Sequence, residues 1–147
     1  MVIKMGDRAP DFMLLDENMK PRSLQEFLGH KVVLAFFVGA FTATCTKEAC
    51  TFRDSMARYT NLEAQIIGIR VNSPTSNKDF ATKNRLPYPI LSDPDLTASK
   101  RYGLEPPRHS IFILDKEGLI RYIWIAPNPA IEPDYKEIQV ALTKIAD

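Results

Sequence analysis

Apolar and polar residues follow one another along this chain in blocks that predict strands and helices in turn. Two nearly unbroken apolar runs, residues 31–38 and 65–71, predict strands buried on both faces of a sheet. Shorter apolar segments predict further strands at residues 11–15, 88–91, 110–114 and 119–125. The last two strands flank a short segment that ends in Gly118, and this spacing predicts a β-hairpin.

Helices are predicted between and after these strands. Ser23 with Glu26 three residues later predicts a capped helical turn, and an apolar stripe at helical spacing predicts an amphipathic helix over residues 133–146. Other helices are predicted over residues 45–59, 77–84 and 96–102. This order of elements predicts one α/β domain over residues 1–147, with a central mixed sheet flanked by helices in the thioredoxin-like arrangement.

Composition narrows the class of function. The chain has 147 residues, 45% hydrophobic and 25% charged, which is typical of a soluble globular domain. A net charge of +1 gives no reason to expect a nucleic acid or a membrane surface as partner. The sequence has no apolar run of the about 18 residues that a membrane span needs, and residues 1–10 lack the apolar core of a signal peptide. We therefore expect a cytoplasmic protein.

Two cysteines, Cys45 and Cys50, make up the thiol content of the chain. A disulfide-stabilised scaffold would usually hold more cysteines. The two histidines, His30 and His109, show no metal-ligand spacing. We therefore expect no structural zinc site, and the cysteines are either inert core residues or a redox pair.

Cys45 falls where the predicted strand 31–38 gives way to a helix. Unpaired backbone N–H groups and the helix dipole favour an anion at such a position, and they can lower a thiol pKa below its usual value of about 8.5. Thr42, three residues earlier, has a hydroxyl able to donate a hydrogen bond to the sulfur. The alternative is a buried and unreactive thiol, which is the common fate of a free cysteine.

The segment FFVGAFTATCTKEACTFRD resembles the peroxidatic segment of the peroxiredoxins, the AhpC/TSA superfamily. There a proline, three residues, a threonine and two residues precede the catalytic cysteine, and Thr42 and Cys45 match this pattern. Residues 6–12, 86–93 and 112–121 resemble three further family segments in the same order. The similarity is closest to the bacterioferritin-comigratory or Q type, or to one-Cys-like prokaryotic members.

This resemblance implies a thiol peroxidase that reduces H2O2 and organic hydroperoxides through a Cys45 sulfenic acid, without a cofactor. Thr42 and neighbouring backbone N–H groups would stabilise the developing charge. Two positions depart from the family pattern, because Val38 replaces the proline and His109 replaces an arginine of the late strand. We expect His109 and the adjacent Arg108 to line the site together.

Two charged residues follow Cys45 on its predicted helix. The family glutamate of this stretch orients a nearby arginine, so Glu48 and Arg53 are expected behind the thiol. The alternative is a solvated helix face, where such ion pairs contribute little to stability.

Cys50 resembles the resolving cysteine of the Q type, and thioredoxin would then be the expected reductant. Five residues on one helix span about 7.5 Å along the axis, whereas a disulfide needs Cα atoms within about 7 Å, so the helix must unwind first. The alternatives are a one-Cys enzyme with Cys50 packed in the helix, or a thiol redox sensor or binding module with little catalysis. We expect a monomer or a homodimer.

Overall fold

Seven strands form one sheet in the computed structural model, which describes residues 3–37, 43–104, 106–128 and 130–145. They are β1 (Met13–Leu15), β2 (Pro21–Ser23), β3 (Lys31–Phe37), β4 (Ala64–Arg70), β5 (Ile90–Ser92), β6 (Ser110–Leu114) and β7 (Ile120–Ile125). Their spatial order is β2-β1-β5-β4-β3-β6-β7. β4 runs parallel to β3 and β5, whereas β6 runs antiparallel to β3 and β7. The predicted α/β class with a mixed sheet is confirmed.

Five α-helices and a 3₁₀ turn at Leu24–Phe27 are found among the described residues. The helices are α1 (Ala43–Asp54), α2 (Met56–Asn61), α3 (Pro74–Lys83), α4 (Thr97–Arg101) and α5 (Tyr135–Thr143). The prediction of a single helix over residues 45–59 is wrong, because Ser55 leaves the helical conformation with a ψ of 11°. α3 begins earlier than predicted, because the Ser73 hydroxyl accepts the Ser76 N–H at 3.2 Å and Pro74 occupies the first turn.

All seven residues of β3 are buried, because the sheet is covered on both faces. Alternate β3 residues point to opposite faces. One apolar cluster contains Val32, Leu34 and Phe36, and the other contains Val33, Ala35 and Phe37 together with residues of α1. The second cluster therefore attaches the start of α1 to the centre of the sheet.

The turn between β6 and β7 is built as the sequence predicts. Gly118 has a φ of +88°, a conformation that favours glycine. One carboxylate oxygen of Asp115 accepts the backbone N–H groups of Glu117 and Leu119 at 2.9 and 3.0 Å. The predicted hairpin is confirmed, and it fixes β6 against β3 with the N-terminal end of β6 close to α1.

Candidate active site

Cys45 lies in the first turn of α1, close to the end of β3, as the sequence predicts. Cys45 is 0% exposed and belongs to the apolar cluster that also contains Phe37, Ala49 and Phe52. Thr42, which is predicted to donate a hydrogen bond to the sulfur, lies outside the described residues, as does Val38.

Arg70 is the polar residue that the structure brings to Cys45. It is the last residue of β4, only 1% exposed, and its side chain is hydrogen-bonded to Cys45. Its Nη1 donates to Asn77 Oδ1 at 3.0 Å, and its guanidinium carbon lies 3.9 Å from the centre of the Phe80 ring. Asn77 is itself fixed, since its Nδ2 donates to Ser92 Oγ at 2.8 Å. The guanidinium is thus held in one position beside the sulfur.

Arg70 is not among the candidate residues that were predicted from the sequence. The signal in the sequence was Arg70 itself, which is the single charged residue of the mostly apolar segment QIIGIRV. A buried strand rarely ends in an unpaired cation, because burying a charge is costly unless the charge has a partner. The pattern could have indicated a functional cation, but it could not have shown which group Arg70 contacts.

Burial controls the ionisation of Cys45 in this arrangement. It raises the pKa of the thiol to about 12, whereas the positive charge and hydrogen bond of Arg70 act to lower that pKa. The expectation that the helix start lowers the pKa below its usual value is therefore not met in the closed site. The physical reason is that removing water from a thiolate outweighs the local favourable interactions.

Glu48 and His109 form a buried pair behind this site. His109 Nδ1 lies 3.7 Å from Glu48 Oε1, and both side chains are 0% exposed. Burial raises the pKa of Glu48 well above its ordinary value and lowers the pKa of His109. Both shifts favour the uncharged forms, a protonated carboxyl and a neutral imidazole, which avoid the burial of two charges.

Neither of the two predicted arginines is buried, whereas Arg70 is. Arg108 is exposed and its neighbour His109 is buried, and both line one cavity. Arg53 Nε lies 2.9 Å from Asp54 Oδ1, and its Nη1 donates to the backbone oxygen of Asn84 at 2.7 Å. The structure thus brings Glu48 together with His109, while Arg53 links α1 to the end of α3. The expected roles of Arg108 and Arg53 at the site stay predictions.

Cys50 lies on the same helix but in different surroundings. It is half-buried, and its Sγ donates to Asn84 Oδ1 at 3.5 Å. The hydroxyl of Tyr88 donates to the backbone oxygen of Ala49 at 2.8 Å and so holds this turn of α1. Neither cysteine forms a disulfide, and the helix between them is intact, so the resolving role of Cys50 stays a prediction.

Two cavities lie at opposite ends of β6. A cavity of about 210 Å³ lies beside His109 and is otherwise lined largely by prolines and by Arg108. A larger groove of about 780 Å³ lies at Asp115 and α5, at the opposite end of β6.

Within the described part of the chain, no cluster of three or more His, Cys, Asp or Glu could hold a metal ion. None of the described helices is long and apolar enough to cross a membrane.

Comparison with known proteins identifies the family. The sequence profile described as the AhpC/TSA family matches residues 5–123. The chain belongs to this family. Chloroplastic peroxiredoxin Q of Triticum aestivum is 38% identical over 138 residues, which cover 90% of this chain and 62% of the relative. Chloroplastic peroxiredoxin Q of Arabidopsis thaliana is 36% identical, over 95% of this chain and 68% of the relative. The predicted resemblance to peroxiredoxins is confirmed, and the chain spans about two thirds of these relatives.

Solved structures agree with the fold. The peroxidoxin BcpB of Mycobacterium tuberculosis superimposes with a TM-score of 0.88 at 28% identity, over 99% of both chains. Peroxiredoxin Q of Xanthomonas campestris superimposes with a TM-score of 0.80 over 90% of this chain and 89% of its own. At 21% identity the second similarity shows the fold alone. The predicted thioredoxin-like fold is confirmed.

Proposed function

We propose that this protein is a thiol peroxidase that reduces H2O2 and organic hydroperoxides through Cys45. The observation that carries the proposal is the contact between Cys45, in the first turn of α1, and the buried guanidinium of Arg70. Membership of the AhpC/TSA family supports the same reaction. The names of the curated relatives, peroxiredoxin Q, indicate which branch of the family to test first.

The reaction begins with loss of the Cys45 proton. The thiolate then attacks the terminal oxygen of the hydroperoxide, so that a sulfur–oxygen bond forms as the oxygen–oxygen bond breaks. The leaving oxygen takes up one proton and departs as water or alcohol, which balances the proton lost by the thiol. The sulfur is oxidised to a sulfenic acid, and the peroxide is reduced by two electrons.

Entry of a peroxide must change the surroundings of the sulfur. In the closed arrangement burial raises the pKa of Cys45 to about 12, so few molecules carry a thiolate near neutral pH. Water and a peroxide admitted to the site reduce the cost of desolvation, while the favourable effect of Arg70 remains. We therefore place an opening step before the chemical step.

The second half of the proposed cycle uses Cys50. Its thiolate attacks the sulfenic sulfur, releases water and forms a Cys45–Cys50 disulfide, which a dithiol reductant such as thioredoxin then reduces. Residues five apart on an intact helix are too far apart for this bond, so α1 must unwind between them. A cytoplasmic location and a monomer or homodimer complete the proposal.

A thiol redox sensor with slow oxidation is the second candidate, because the raised pKa and full burial of Cys45 favour a protected thiol. Stopped-flow oxidation of the Cys50→Ser variant by H2O2 separates the two functions, with Cys45→Ser as the blank. A peroxidase requires a rate constant at least about 100-fold above that of free cysteine. A rate no faster than free cysteine would rule out the peroxidase.

Resolution is tested on the unmodified protein by mass spectrometry. One equivalent of H2O2 should give an intramolecular Cys45–Cys50 disulfide that thioredoxin reduces. A stable sulfenic or sulfinic acid on Cys45, with Cys50 still free, would instead identify a one-Cys cycle.

A further inference from the structure

Two side chains flank the end of β3 from opposite sides. Arg70 of β4 is paired with Phe37 in the parallel register. On the other side, Ser110 of β6 is paired with Phe36, so the preceding residue, His109, lies across from Phe37. Side chains directly across from one another in a sheet point to the same face. Arg70 and His109 are therefore equivalent positions on the two neighbours of β3, both on the face that carries α1.

Arg70 is the member of this pair that contacts the thiol. Its guanidinium is hydrogen-bonded to Cys45 and is fixed by Asn77 and the Phe80 ring. Burial lowers the pKa of Arg70, and the Cys45 sulfur opposes that change. Each group therefore reduces the cost of charging the other, as expected for a buried cation and a buried thiolate in contact.

His109 does not carry a positive charge comparable to that of Arg70. It stands where the peroxiredoxins that this chain resembles carry an arginine, and it faces the Glu48 carboxyl at 3.7 Å. Burial lowers the pKa of His109, so its imidazole is neutral near neutral pH. Both of its ring nitrogens lack a hydrogen-bond partner among the described residues. The strand that would normally supply the cation thus ends in a neutral side chain.

We propose that Arg70 supplies from β4 the positive charge that related proteins supply from position 109, so that the catalytic cation of this site has moved across β3. This inference rests on the proposed peroxidase function. As the oxygen–oxygen bond breaks, negative charge passes from the sulfur to the leaving oxygen, and a guanidinium beside the sulfur would stabilise that charge. Its Nε has no hydrogen-bond partner among the described residues, which leaves one donor for a peroxide oxygen.

The test measures the rate constant for Cys45 oxidation by H2O2 in the Cys50→Ser protein. Arg70→Gln should lower this rate constant by about 100-fold, the usual effect of removing a charge-stabilising donor. Adding His109→Arg to that variant should restore at least about tenfold, because it returns a cation to the opposite side of the same sulfur. Arg58→Gln is the matched control, since it removes an exposed arginine of α2 whose Nη1 donates to Gln139 Oε1, and it should change the rate by less than about twofold.

Recovery of the rate by His109→Arg separates an electrostatic role from a structural one, because it repairs charge and leaves the Asn77 and Phe80 contacts unmade. An Arg70→Gln rate within threefold of the parent, or a loss that His109→Arg does not recover, would overturn the relocation of the cation. Should Arg70→Gln not fold, Arg70→Met fills the same buried space without charge, and the same loss and recovery are required of it. Failure of the proposed function is distinct, because the Cys50→Ser parent itself would then react no faster than free cysteine.

Discussion

The two cysteines of α1 lie on the same helix in opposite environments. Cys45 is 0% exposed, packed in an apolar cluster and hydrogen-bonded to Arg70. Cys50 is half-buried at the side of the helix, where its sulfur contacts the side-chain amide of Asn84. Five residues on a helix correspond to a rotation of about 140° beyond a full turn. One thiol therefore faces the sheet and the other faces the end of α3.

This difference shows what each thiol can do without movement. Cys45 has a cation but little water, so it is protected until a small substrate and water reach it. Cys50 is partly open to solvent, and the arginine that interacts with it, Arg53, is only half-buried. The proposed cycle needs both features, and it joins the two thiols by unwinding the helix that separates them.

The largest expected effect concerns how the Cys45 rate depends on pH. Because burial raises the pKa of Cys45 to about 12, the thiolate fraction should grow about tenfold per pH unit, or about 100-fold over two units. Stopped-flow oxidation of Cys50→Ser between about pH 6 and pH 9 measures this rise. A plateau below neutral pH would show that the thiol is already ionised and that the helix start dominates over burial.

A second prediction concerns the carboxyl beside the protected thiol. Burial raises the pKa of Glu48 well above its ordinary value of 4.5. Between pH 4.5 and this raised pKa, Glu48 is protonated in the folded protein and ionised in the unfolded chain. The unfolded state therefore binds fewer protons in this range, and the free energy of unfolding falls by about 1.4 kcal/mol for each unit by which the pH rises. Glu48→Gln should lack this loss in urea unfolding at about pH 5 and pH 7.

His109 contributes to the same measurement with the opposite sign. Burial lowers its pKa, so its own contribution to stability is lost as pH falls, and it is present in both proteins. Glu117→Gln, at an exposed carboxyl, is the control and should follow the parent at both pH values. Equal pH dependence of the parent and Glu48→Gln would show that Glu48 is ionised in the folded protein.

Much of the fold could be predicted from the sequence alone. Apolar runs and turn residues were enough to predict β3, β4 and the hairpin, because burial on both faces and a positive φ leave strong local signals. The position of Cys45 at a helix start followed from the same pattern. The boundary at Ser55 was missed, since no strong breaker residue marks it.

The partner of Cys45 could not be predicted, because it depends on which strands are neighbours. Arg70 and Cys45 are 25 positions apart in the sequence, and they meet only because β4 pairs with β3 in the register that places Arg70 opposite Phe37. The family pattern directed attention to position 109 on the other neighbour of β3. The degree of burial, which sets the pKa of the thiol, is likewise a property of the packed structure.

The comparison between the thiols predicts a difference in alkylation. Iodoacetamide should label Cys50 at least about tenfold faster than Cys45 in the folded reduced protein, because alkylation needs both access and a thiolate. Peptide mass spectrometry over a time course measures both rates in one sample. Labelling in urea is the control and should remove the difference. Faster labelling of Cys45 in the folded protein would contradict its assignment as the protected thiol.

The smallest expected effect tests what holds the helix between the two cysteines. Tyr88→Phe removes the hydroxyl that donates to the Ala49 oxygen at 2.8 Å, and such a hydrogen bond contributes about 1 kcal/mol. Unwinding of α1 should therefore be easier, and the Cys45–Cys50 disulfide should form about fivefold faster after peroxide addition, measured by acid quench and mass spectrometry. Tyr122→Phe removes a hydroxyl on β7 that donates to the exposed Glu137 of α5 at 2.9 Å and makes no hydrogen bond to α1 in the described part of the chain, and it should leave the rate unchanged. If both variants form the disulfide at the parent rate, the turn that carries Cys50 is not what limits resolution.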